Sequence, residues 1–277
     1  MKRIATIQDI SCLGKCSLTV ALPLISAMGV EACVVPTAVL STHTMFSGYT
    51  FRDLTEDMPA IADHWQAEGF RFDAIYTGYL GSQQQLDIVA DYFDRFGGDG
   101  CLKIVDPVMG DNGLLYAGFT PEFAREMGKL CGKADVIMPN MTEAAFMLDI
   151  PYVASGYSEE YIRELLKKLT DLGAGTAVLT GVSFEEGKIG IMSYDRAADR
   201  YESYFHNRVD ASFHGTGDIF ASVVTGALMR GRSLQQALQL AADYTAECIR
   251  ITAADPEGIR YGVYFEALIP QLLQQLG

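Results

Sequence analysis

Short apolar runs alternate with stretches of helical spacing along most of this chain. Residues 4–7, 32–39, 74–77, 102–105, 136–138 and 176–180 are compact, apolar and bounded by turn formers, which predicts buried strands. Between them, 14–28, 57–68, 83–96, 121–131 and 158–172 place apolar residues three and four apart, which predicts helices. Pro121 stands at a helix start, and Ser158 is an N-cap with Glu160 in the first turn. Residues 188–207 break the rhythm. Ile189, Ile191 and 201–205 alternate around the polar stretch 195–200, which predicts a hairpin. Helices over 217–229, 233–252 and 264–276 close the chain. Alternating strands and helices imply βαβ units and a three-layer α/β/α fold around a central, mostly parallel sheet. No internal repeat or linker breaks the pattern, so residues 1–277 are expected to form a single domain.

Composition narrows the partners. Of 277 residues, 49% are hydrophobic, enough for a large core, and the formal net charge is -14. That charge argues against nucleic acid and anionic membranes, so an anionic ligand must be caught by local donors. No signal-peptide segment or membrane-length apolar run is visible, which predicts a cytoplasmic protein. Six cysteines form no CxxC pair and no zinc-ligand spacing, and are expected to be small reduced core residues.

In such a sheet ligands sit beyond the carboxyl ends of the strands. Three strand ends are unusual: 106–111 with Asp106 and Asp111, 139–143 with Asn140 and Glu143, and Thr180-Gly181. Carboxylates and an amide oxygen suit hydrated Mg²⁺ beside a nucleotide phosphate. The same residues also fit ordinary roles: Asp106 as a turn acid, Asn140 as an N-cap and Glu143 as its capping-box partner. The most informative stretch is His214-Gly215-Thr216-Gly217-Asp218, followed by an apolar small-residue run. Its glycines allow close approach of an anion to main-chain N–H groups at a helix N-terminus. Asp218 at the edge of an anion site suggests a base that takes a proton from an attacking hydroxyl. A plain glycine-rich turn with a first-turn aspartate fits the same letters. A P-loop, a GxGxxG fingerprint and a GxSxG elbow are all absent.

Taken in order, Ser41-Thr42-His43-Thr44, Thr77-Gly78-Tyr79-Leu80-Gly81, 106–111, 139–143, Thr180-Gly181 and 215–218 resemble the ribokinase-like superfamily, most closely its pyridoxal kinases. The resemblance covers nearly the whole chain. It implies transfer of the ATP γ-phosphoryl group to the 5′-hydroxymethyl of a B6 vitamer (pyridoxal, pyridoxine or pyridoxamine). By this resemblance Asp218 is the catalytic base, and the amides of Gly215, Thr216 and Gly217 form the anion hole. Asp106, Asn140, Glu143, Thr180, Gly181 and Gly215 attend ATP, and Asp111 and Glu143 serve Mg²⁺, partly through water. Asp9, Thr44 and Tyr79 line the vitamer pocket with Asp218. The hairpin at 188–207 and the loop to Phe213 act as a lid over ATP, and the protein is a homodimer. A monovalent-cation requirement is left open. Two positions depart from the family: Asp9 stands where a serine usually bonds the pyridine nitrogen, and Met138 where a threonine is common near the metal. A carboxylate at position 9 favours a pyridinium ring, although Asp9 also fits a strand-end turn. His43 and His214 fit loop-bracing roles, His64 a solvated helix face, and Trp65 a packing contact. Two alternatives remain: a hydroxymethylpyrimidine kinase, and a non-catalytic vitamer-binding protein on the same scaffold.

Overall fold

The computed structural model describes residues 1–259 and 261–277. The fold is α/β, with a mostly parallel nine-stranded sheet among the described residues. The chain divides into two compact units, Met1–Ala74 with Arg208–Gly277, and Ile75–Asn207.

The first unit opens with β1 (Arg3–Leu13), which continues well past its predicted end at residue 7. Helix α1 (Leu18–Ala27) follows, starting later than predicted because Ser17 has φ 49 and ψ -131, which no helical residue adopts. Strand β2 (Glu31–Thr42) pairs in parallel with β1 from Arg3↔Glu31 to Leu13↔Thr42. Their register slips between Gln8 and Ile10, where the partner of Gln8 is Pro36, a residue with no N–H to donate. A short strand β3 (Phe51–Asp53), not foreseen from the sequence, pairs antiparallel with β2 and leads to α2 (Met58–Ala67).

The second unit begins within β4 (Ala74–Thr77) and continues with α3 (Gln83–Phe96), both with the bounds the pattern predicts. Next come β5 (Leu102–Val105), the two-residue strands β6 (Gly110–Asp111) and β7 (Leu114–Leu115), and α4 (Pro121–Cys131). Strand β8 (Val136–Ile137), α5 (Met141–Met147) and α6 (Glu159–Asp171) follow. Ser82, Thr120 and Ser158 cap α3, α4 and α6 by accepting main-chain N–H groups. Strand β9 (Thr176–Val182) joins β8 in parallel, as β8 joins β5. The predicted hairpin is present as β10 (Lys188–Asp195) and β11 (Arg200–Asn207). Rather than standing off as a separate flap, it pairs antiparallel with β9 and continues the sheet.

The chain then returns to the first unit with α7 (Thr216–Met229), α8 (Leu234–Ala253) and α9 (Ile269–Leu276). Helix α7 is buried along most of its length and packs on α1 and α8. A Cβ on Gly226 would lie 2.0 Å from the Met28 methyl, so a glycine lets the α1 end lie against α7. The stretch after α8 is lashed down: the Tyr244 hydroxyl donates to the Phe265 carbonyl at 2.6 Å, and the Tyr264 N–H to Thr252 Oγ1 at 2.8 Å. Among the described residues no helix is long and apolar enough to cross a membrane, and the six cysteines are free.

Candidate active site

In the first unit, Gly215 caps α7 in the left-handed conformation, φ 83. A Cβ there would fall 1.8 Å from the Lys15 carbonyl oxygen, so only glycine lets the two turns interlock. Gly217 differs: its added Cβ would meet nothing within 4 Å, and packing does not demand a glycine there. The 14–17 turn is itself anchored. Lys15 N–H donates to the Tyr261 carbonyl at 2.9 Å, and its ammonium pairs with Glu266 at 2.6 Å.

This interlock sets Asp218 in the first turn of α7, where it is 8% exposed. Burial pushes its pKa up to about 7; the Ser17 N–H works against that shift and the charge of Asp9 adds to it. Its Oδ1 is buried and accepts no hydrogen bond. Asp9 lies inside β1, not at a strand-end turn, and is buried. The Ser11 hydroxyl donates to its Oδ2 at 3.2 Å, and the Ser17 hydroxyl also bonds it. Those hydroxyls make a carboxylate tolerable in a strand interior, although burial still raises its pKa. Ser17 therefore serves both acids, its N–H toward Asp218 and its hydroxyl toward Asp9. Its strained backbone costs on the order of 1–3 kcal/mol and persists because the surrounding turn fixes it. Cys16 lies near both acids, and burial drives its thiol far up, so it is inert. Thr44 is exposed in the turn after β2.

The second unit gathers another set. Asn140 caps α5, accepting from the N–H groups of Thr142 and Glu143 at 2.8 and 3.0 Å, while Glu143 Oε2 accepts from Asn140 N–H at 2.8 Å. The predicted capping box is thus formed. The same residues hold the β6–β7 hairpin: Asn140 Nδ2 donates to the Gly110 carbonyl at 2.9 Å, and Gly113 N–H to Thr142 Oγ1 at 2.9 Å. Glu143 Oε1 accepts from Met109 N–H at 3.1 Å. Burial raises the Glu143 pKa to about 8, opposed by these N–H groups and reinforced by the Asp111 charge. Thr180 bridges Asn140, and its N–H donates to the Pro139 carbonyl at 3.0 Å. Strand β9 runs past its expected end at Thr180 to Val182, so Gly181 lies within the strand and not after it. The antiparallel β10 carries the ladder on to Val182, and the register skips Gly181, whose φ of 74 marks a bulge. Asp106 follows β5 and is buried, with its N–H donating to the Thr77 carbonyl at 3.0 Å. Tyr79 packs its ring on Phe119, centroids 5.4 Å apart.

Asp106, Asp111, Asn140, Glu143 and Thr180 thus share the strand-end region of one unit, and Asp9, Asp218 and the glycine turn share the other. Sequence reasoning missed Ser11 and Ser17. A serine directly before an apolar helical run was the available signal, hidden because the helix was expected to start at residue 14. Among the described residues no group of three or more His, Cys, Asp or Glu could enclose a metal ion. The exposed Asp111 carboxylate, bonded only to Asn112 among the hydrogen bonds of its side chain, suits an ion held mainly by phosphates and water, as Mg²⁺ is. Both Glu143 oxygens already serve main-chain N–H groups.

A mostly parallel sheet whose strand ends carry acids and a capping amide, with a glycine turn that opens a helix onto a buried aspartate, defines a ribokinase-like kinase. The chain belongs to the phosphomethylpyrimidine kinase family, whose profile matches residues 21–262. It is 27% identical over 264 residues to the pyridoxine/pyridoxal/pyridoxamine kinase of Bordetella avium, covering 90% of this chain and 85% of that one. A candidate phosphomethylpyrimidine kinase from Bacteroides thetaiotaomicron, crystallised with pyridoxal, is 42% identical with a TM-score of 0.93, covering 98% of this chain and 95% of that one. The pyridoxal kinase of Lactobacillus plantarum is 32% identical with a TM-score of 0.90, covering 99% and 97%.

Two stability tests follow from this geometry. Gly215→Ala must break the contact with Lys15 and lower the melting temperature, whereas Gly217→Ala gains helix propensity and leaves it unchanged or higher. Thermal melts of both variants check this. Asp218 binds a proton in the folded state between the ordinary carboxylate range and pH 7, where the unfolded chain has lost it. Folded stability from this group therefore falls as pH rises across that window. Asp218→Asn should match the wild type near pH 4 and exceed it at pH 8 by a few kcal/mol. Denaturant melts at both pH values measure the difference, and a constant gap would contradict it.

Proposed function

We propose that this chain, working as one kinase domain over residues 1–277, transfers the γ-phosphoryl group of ATP to the 5′-hydroxymethyl of a B6 vitamer. The observation that carries the reading is the Asp218 carboxylate. It stands buried at a helix N-terminus behind a glycine turn, with one oxygen unengaged and a pKa pushed up to about 7. A base of that strength is half ionised near neutrality and suits proton removal from an alcohol. As the substrate oxygen bonds the γ-phosphorus and the bond to the β-bridging oxygen breaks, Asp218 takes the hydroxyl proton. The amides of Gly215, Thr216 and Gly217 and the α7 dipole stabilise negative charge on the transferring group. Asp106, Asn140, Thr180 and Gly181 attend the nucleotide. Bound Mg²⁺ supplies charge neutralisation between the phosphates. Asp111 holds that ion, and Glu143 acts on it through water while fixing the segment that carries Asp111. Thr44 and Tyr79 line the vitamer side, and the 188–207 hairpin screens ATP. The protein works as a homodimer.

Pyridoxal in the 42% identical relative supports a pyridine substrate, while the family's description supports a pyrimidine. Asp9 favours the pyridine. One proton lies between its buried carboxyl and the ring nitrogen, on whichever group is the stronger base. A non-catalytic vitamer binder has no use for the Asp218 base.

A coupled ADP-release assay across pyridoxal, pyridoxine, pyridoxamine and hydroxymethylpyrimidine is expected to give turnover on the vitamers, with a rate that climbs through about pH 7. Asp218→Ala should lose about 10²–10⁴-fold in kcat. Retained turnover in that variant removes the base assignment, and selective turnover of the pyrimidine transfers the reading to the alternative. Gly217→Ala should impair turnover while folding normally. For Asp9, KM for the vitamer should lose its pH dependence in Asp9→Ser; identical profiles in the two proteins refute the shared proton.

A further inference from the structure

His43 and His214 come together in the first unit with ring centroids 4.5 Å apart, tilted by 35°. Phe46 lies 4.9 Å from the His43 ring, and a Cβ on Gly14 would sit 3.2 Å from its Cδ2. His43 thus stands between the turn that opens on Asp218 and the 14–17 turn that braces it. It is 3% exposed, and neither ring nitrogen has a hydrogen-bond partner. A buried nitrogen without a partner destabilises a folded protein, so its persistence needs a reason. Burial lowers the pKa of both rings, His214 to about 4, and the His43 ring adds to the shift of His214. His43 is therefore a neutral imidazole, with one donor and one acceptor nitrogen.

We propose that His43 is a substrate-contacting, specificity-determining residue. Its neutral ring, packed against His214 and Phe46, hydrogen-bonds a hydroxyl on the aromatic ring of the phosphoryl acceptor. This rests on the reading of the chain as a kinase for ring alcohols and adds a group that chooses among them. A hydroxyl both donates and accepts, so it satisfies either tautomer of the imidazole. An aminopyrimidine offers only donors at the equivalent substituent and satisfies only one. One of the unpaired nitrogens is then a group preorganised for ligand, and a ring lacking the hydroxyl leaves it unpaired in the complex as well.

The test pairs a residue change with a substrate change. Wild type, His43→Phe and His43→Asn are assayed on pyridoxine and 3-deoxypyridoxine. In the wild type, kcat/KM should favour the hydroxyl-bearing ring by about tenfold or more, the worth of one buried hydrogen bond. His43→Phe should bring that ratio close to one, and His43→Asn, which retains a donor and an acceptor, should restore part of it. The ligand-free melting temperature of His43→Phe should hold or rise, because an apolar ring removes two unpaired buried nitrogens. A ratio unchanged by His43→Phe overturns the proposal. So does an equal loss on both substrates with a fallen melting temperature, which marks a structural role. If the wild type phosphorylates neither compound, the kinase reading itself fails. The melting shift that each compound induces then reads His43 separately, and equal shifts in wild type and His43→Phe overturn its role.

Discussion

The Lys15 carbonyl and Gly215 occupy space that a single methyl group would make impossible to share. Most of what is distinctive in the first unit follows from that contact. It forces a glycine into the left-handed region, which lets the chain enter α7 on the turn that the Asp218 carboxylate needs. On the other side of the contact the chain must turn just as sharply, and Ser17 absorbs the strain. The C-terminal stretch completes the arrangement by tying Lys15 through its N–H and its ammonium. Segments far apart in sequence, around residues 15, 215 and 262, are thereby fixed against one another. The Gly262 conformation, φ 141, with a Cβ that would lie 2.4 Å from that of Lys15, belongs to the same close packing.

Burial is the second physical theme, and it works with that geometry. Asp9 and Asp218 are buried together with only serine hydroxyls and main-chain N–H groups to offset the cost. No cation sits among those that shift either acid. In a chain of net charge -14, a lysine or arginine there would lower both pKa values and leave a weak base. Neutral donors instead hold the carboxylates in place without quenching them. The histidine pair follows the same rule, since burial keeps both rings uncharged.

Much of this was legible in the letters, and the boundary is instructive. Strand and helix periodicity located β4, α3, β5 and α4 to the residue, because those elements are short, strongly patterned and stopped by Gly, Pro or a cap. The strand ends of the second unit were found by the rule that ligands gather there. Misread were the places where a strand continues past its apolar run. Asp9 and Ser11 sit inside β1 because they satisfy one another, and β9 runs on through Gly181 to Val182 because a partner strand arrives later in the chain. Local pattern carries no information about either. The His43–His214 contact and the double role of Ser17 were equally hidden, since both depend on long-range packing.

Asn140 and Glu143 show why a structural and a chemical reading of one motif need not compete. On sequence alone, capping and ligand attendance looked like alternatives. In the structure the cap is formed, and its second half-bonds reach across to the Met109 N–H and the Gly110 carbonyl. The N-terminus of a seven-residue helix is thereby fused to the hairpin that presents Asp111. A carboxylate on so short a hairpin is precise only if something rigid holds the hairpin, and the capping box is that support. Its buried glutamate, raised to about 8, is the cost of placing an acid where it can bond two separate main-chain segments at once. An uncharged glutamine has one acceptor oxygen in place of two and would leave either Met109 or Asn140 without its partner. The residue type is therefore demanded by the geometry of support, whatever further contact it makes through water.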